Sequence, residues 1–191
     1  GLRINGQTLR ADLPTLPGGL AGAGYRTHAA GKLHLSPWVV GEGQYSPEAL
    51  HGWNTGVLTE FPTPYYGFQT VDFVGGHTSF ICGGPYFDWV RARGGDPAWL
   101  QEALEPPTGA PSCYKMRMPE ELHYNRFIAD SAIRAIEAED DAPFFIWCSF
   151  PDPHAAVAPP KPYCDLYDPA DMPLPERLKE VTELNLNGER D

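Results

Sequence analysis

Hydrophobic periodicity is clearest between residues 119 and 139. Leu122, Phe127, Ile128, Ala132, Ala135 and Ile136 return at three- and four-residue steps among polar neighbours. That spacing places them on one face of an α-helix. Pro119, Glu120 and Glu121 suit its first turn, where a proline loses no hydrogen bond and the helix dipole favours acidic side chains. Asp140, Asp141 and Pro143 end it. The run from Phe144 to Phe150 is then apolar almost without a break. A short run that is apolar on both faces predicts a central strand of a parallel sheet, with Cys148 as a small buried hydrophobe. Pro151, Pro153, Pro159, Pro160 and Pro162 force an extended loop after it.

The remaining pattern is weaker. Residues 12–24 predict a short helix with Asp12 or Thr15 as N-cap and Gly24 as its stop, thinned by Pro17, Gly18 and Gly19. Residues 25–30 predict a strand ending at Gly31, although Thr27-His28-Ala29-Ala30 is poor in β-branched side chains. From 37 to 118 the chain is rich in Pro, Gly and aromatic residues and reads as a loop-rich insertion. Within it, Gln69 to Val74 predicts a short strand, and 86–93 and 97–104 predict short helices. The second of these has Asp96 as N-cap and Pro97 at the first helical position. The order helix, strand, insertion, helix, strand, loop predicts an α/β fold, a helix-flanked and mostly parallel sheet. In such sheets ligands bind at the carboxyl ends of the strands. Gly-Lys-Leu-His-Leu at 31–35 and Ser-Phe-Pro-Asp-Pro-His at 149–154 both fall there.

Those two strings carry the candidate chemistry. Lys32 supplies a compact charge with three donors, and His34 and His154 can donate a hydrogen bond or move a proton near neutral pH. In an extended segment Lys32 and His34 face the same way, roughly 7 Å apart, so both can touch one tetrahedral oxyanion. The competing reading of Lys-x-His is a solvated surface pair, and Asp152 suits a turn cap equally well. His77, after Gly75-Gly76, lies in a loop able to reach the same pocket, while His28, His51 and His123 are candidates by residue type alone. His123 reads as a surface or internally satisfied residue of its helix. Trp53, Tyr65, Tyr66 and Trp89 fit packing within the insertion better than a substrate rim. The formal net charge of −11 argues against a nucleic-acid partner, which needs a basic face. No apolar run approaches the roughly 20 residues that span a bilayer. Cys82, Cys113, Cys148 and Cys164 match no zinc-binding spacing.

Taken together the motifs resemble the sulfatase family. Gly24 to Leu35, GYRTHAAGKLHL, is similar to its pattern Gly-Tyr-x-Thr-x-x-x-Gly-Lys-x-His-Leu. Pro143 to Pro160, PFFIWCSFPDPHAAVAPP, resembles its SFPDPHHPF segment, and Tyr163 to Pro169, YCDLYDP, the Tyr-Asp-Pro stretch that follows. The resemblance implies an alkaline-phosphatase-like fold, incomplete in this chain, and hydrolysis of a small-molecule or carbohydrate sulfate ester. It also implies a formylglycine nucleophile and a divalent cation, usually calcium. By position, Lys32 is then the sulfate and leaving-oxygen contact, His34 the partner of the formylglycine diol, and His154 the contact to the ester oxygen. No Cys or Ser of the chain begins a Cys/Ser-x-Pro-x-Arg string, so the nucleophile and the metal ligands are expected outside these residues. The chain accordingly reads as an internal fragment, with 1–175 as part of a catalytic domain and 176–191 as a tail or the start of a further segment. Alone, it is expected to be inactive.

Two departures bear on function. Ala155 stands where the family usually has a second His, which puts one substrate contact in doubt, and Leu33 replaces a common Trp. Rival readings are a phosphonate monoester or phosphodiester hydrolase of the same superfamily, and a sulfatase-like protein that binds without catalysis. The Lys32–His34 pair favours the sulfatase, because the phosphonate branch tends to carry hydroxylated residues there.

Overall fold

The computed structural model describes residues 4, 6–41, 44–78, 84–105, 112–139 and 141–173. Its elements are α1 (Leu16–Gly22), β1 (Arg26–Gly31), α2 (Leu50–Asn54), β2 (Thr70–Phe73), α3 (Pro85–Ala92), α4 (Tyr124–Ile136) and β3 (Phe144–Ser149). The strands form one parallel sheet in the order β2-β1-β3. Helix and strand order thus follow the sequence expectation, an α/β fold with a helix-flanked parallel sheet. β2, which lies within 37–118, is a full member of that sheet. The segment 176–191 lies outside the described residues.

Among the described residues β1 is the middle strand and β3 lies at an edge. Thr27, Ala29 and Ala30 of β1 are almost wholly buried. Their small side chains let a layer close in on each face. Ala30 packs with Ile128, Phe127 and Tyr86 on the α4 side. Ala29 packs with Leu33, Trp53, Phe61, Phe68 and Phe73 on the other. In β3, Phe144 and Trp147 remain 45% and 50% exposed, and Cys148 is an exposed free thiol rather than a buried hydrophobe.

Local chemistry explains the helix boundaries. Thr15, not Asp12, caps α1, its Oγ1 accepting the Gly18 N–H at 3.1 Å. The helix expected over 119–139 divides into a short 3-10 turn at Glu120–Leu122 and α4. His123 forms the joint. It is only 4% exposed, and its Nδ1 accepts the Asn125 N–H at 3.2 Å as the N-cap. His28 is structural too. Its ring nitrogens meet the Thr70 and Ser131 hydroxyls at 2.8 and 2.9 Å, and Ser131 donates to Asp72, which also pairs with Arg134 at 3.0 Å. This network ties β1 to β2 and α4.

The His123 cap makes a pH prediction. Burial pushes the imidazole pKa down to about 4 from 6.5, and protonation of Nδ1 removes the cap acceptor. A folded pKa below the unfolded one contributes stability that is present above pH 6.5 and lost as pH falls toward 4, roughly 3 kcal/mol in all. Asn at position 123 keeps a cap acceptor but does not titrate. Denaturant unfolding at a series of pH values should show His123→Asn losing much of the wild-type stability slope between pH 6.5 and 4.

Candidate functional site

The three parallel strands deliver three loops to one edge of the sheet. β1 ends at Gly31, with φ at +100° and no room for a Cβ beside the Ser149 carbonyl and the Ile128 side chain. Glycine alone adopts that conformation there without strain or collision. The ladder continues briefly past the strand ends, with Lys32 N–H donating to Ser149 O at 3.0 Å and Val74 N–H to Gly31 O at 3.1 Å. Lys32–Leu35, Gly75–Thr78 and Phe150–His154 therefore emerge side by side.

Between them lies a cavity of about 130 Å³ lined by Lys32, His34, Glu48, His77 and His154, with the Gly75-Gly76 backbone. The structure thus brings together Lys32, His34 and His154, the residues singled out from the sequence. Lys32 is half-buried, and His34 and His154 are exposed. Burial lowers the Lys32 pKa, with Glu48 acting in the opposite direction. The His154 loop is tied to α4 through Asp152, whose carboxylate accepts from Tyr124 Oη at 2.8 Å and Asn125 Nδ2 at 2.7 Å. Asp152 is therefore an anchor for this loop and not merely a turn cap.

Sequence reasoning missed Glu48. It is 2% exposed. Its Oε1 accepts the Leu35 and Ser36 N–H groups at 2.8 and 3.0 Å and the Tyr65 hydroxyl at 2.8 Å. Ser36 Oγ further meets Ser46 Oγ at 2.6 Å and Tyr65 Oη at 3.0 Å. Burial raises the Glu48 pKa, opposed by those hydrogen bonds and by His34. No sequence spacing announces this contact, because residues 36–48 must first fold back on the Lys32–His34 segment. Tyr65 and Trp53 are packing residues, as expected. Tyr66 and Phe68 line a second, apolar cavity of about 460 Å³ on the other side of Lys32 and His34.

This donor set suits an oxyanion: an ammonium, imidazoles and backbone at strand ends. It does not suit a divalent cation, since an ammonium cannot ligate a metal and Glu48 Oε1 already accepts from three donors. Among the described residues no three His, Cys, Asp or Glu side chains are grouped to hold a metal ion, and no helix is long and apolar enough to cross a membrane.

Comparison with known proteins bears on the family and the fold. A family model described as Sulfatase matches residues 3–185. The fold is similar to that in the crystal structure of the phosphonate monoester hydrolase of Agrobacterium radiobacter, with a TM-score of 0.53 and 21% identity. The match covers 89% of this chain and 31% of that one, so the present chain spans about a third of its length.

Glu48→Ala should leave three buried donors without their acceptor and cost about 3 kcal/mol, at roughly 1 kcal/mol each. Glu48→Gln retains a carbonyl oxygen for them and should recover most of that loss in denaturant unfolding. Equal losses in the two variants would show that acceptor geometry at Oε1 does not matter.

Proposed function

Since the chain belongs to the sulfatase family, we propose that the protein hydrolyses sulfate esters of small molecules or carbohydrates, with Lys32, His34 and His154 as the groups that receive the sulfate. The observation that carries this reading is their convergence on one cavity at the carboxyl ends of parallel strands. Charge builds on oxygen as a sulfate ester is cleaved, and donors already fixed around that oxygen lower the barrier. Lys32 supplies a partly desolvated positive charge. His34 and His154 supply N–H donors within the same cavity, and His154 is the group assigned to the ester oxygen.

A formylglycine nucleophile and a divalent cation, calcium in this reading, would supply attack on sulfur and further charge neutralisation. Neither is assigned to the described residues, whose donors fit the sulfate and not the metal. Lys32, His34 and His154 are proposed to bind and orient the ester and to hold its protons.

A second reading is hydrolysis of a phosphonate monoester or phosphodiester. It has the support of a fold shared with a phosphonate monoester hydrolase. The Lys32–His34 pair favours the sulfate reading. A third reading, binding without catalysis, rests on Ala155.

Parallel kcat/KM measurements on an aryl sulfate and an aryl phosphonate, using the intact protein, separate these readings. The sulfate ester should be the faster substrate, and Lys32→Ala should lower its turnover at least ~100-fold, the scale of losing one transition-state donor. Faster phosphonate turnover would overturn the sulfatase reading, and near-wild-type kinetics in Lys32→Ala would remove Lys32 from the site.

A further inference from the structure

His154 does not stand alone at the cavity. His77, carried there by the end of β2, lies against it with ring centroids 3.7 Å apart and planes 22° apart. Trp38 also packs against His77, at 6.1 Å between centroids. His77 is half-buried while His154 is exposed. His154 Nδ1 lies 2.6 Å from the Ala155 carbonyl. A carbonyl only accepts, so Nδ1 carries the proton and Nε2 is the lone-pair atom of the neutral ring.

Two imidazoles stack comfortably when at most one is charged. Two imidazolium rings at 3.7 Å repel each other, and Lys32 and His34 around the cavity increase that cost. From the end of β1, Lys32 adds a fixed positive charge, and His34 adds a second ionisable one. Glu48 already accepts from Leu35, Ser36 and Tyr65. Asp152, on the His154 loop, already accepts from Tyr124 and Asn125. Burial lowers the His77 pKa, and His154 and Lys32 lower it further, with a backbone hydrogen bond and Asp152 acting against them. The half-buried ring is therefore the one that stays neutral.

We propose that His77 is a positioning residue for His154: a neutral stacking platform that fixes its ring plane, in a pair that carries at most one proton, borne by His154. The pair then meets an ester with one cationic donor rather than two. This chemical use rests on the hydrolase reading above, whereas the proton coupling itself does not.

Histidine-labelled NMR titration of the intact protein, without substrate, tests it. The wild type should show the His77 midpoint below that of a free imidazole, and a midpoint at or above the free value would overturn the proposal. In His154→Phe, a change at an exposed position that keeps a stacked ring, the His77 midpoint should rise by about one unit. That is the effect of removing a charge at this separation even with the full screening of water. An unmoved His77 midpoint would overturn the pairing. If the coupling is present but neither ester is turned over, the functional reading fails and the pair stands.

Discussion

Gly31 is pinched between the Ser149 carbonyl of β3 and the Ile128 side chain of α4, with φ at +100°. The site depends on this close approach. It lets β1 run between its two neighbours to the last residue, and it turns the chain so that Lys32 leaves beside the β3 loop. A side chain at this point would push β1 away from β3 and separate Lys32 from His154. The small residues before it serve the same end. With alanines at 29 and 30, two apolar layers approach the middle strand closely enough to make its exit point rigid.

Electrostatics complete what the backbone begins. The protein carries a formal net charge of −11, yet its strand ends gather an ammonium and three imidazoles around one small cavity. Two carboxylates, Glu48 and Asp152, stand at the same edge. Each is held by donors of its own, Glu48 by the Leu35 and Ser36 N–H groups and Asp152 by Tyr124 and Asn125 of α4. They fix the loops that carry Lys32, His34 and His154. Structural and chemical roles are thus divided between the acidic and basic residues at the same edge.

Much of this was legible in the chain because it is written locally. The α4 periodicity, the apolar run of β3 and the glycine stop of β1 depend on neighbours a few residues away, and so do the Lys32–His34 and Pro151–His154 strings. What was not legible has long-range causes. His123 read as a surface or internally satisfied residue, and a break between the 3-10 turn and α4 decides for the second by turning it inward as a cap. Glu48 carries no motif, and its role exists only after the loop closes on Leu35 and Ser36.

Sequence alone determined the kind of chemistry and the edge at which it occurs, since residue type sets charge and proton affinity, and strand order sets which ends carry loops. Tertiary structure alone decided which groups act together. The stacking of His77 on His154, the grip of Glu48 on the Lys32–His34 segment and the pairing of β1 with β3 join residues 13 to 118 positions apart in the chain. Contacts of that range are chosen by packing and desolvation over the whole fold, and no local pattern encodes them.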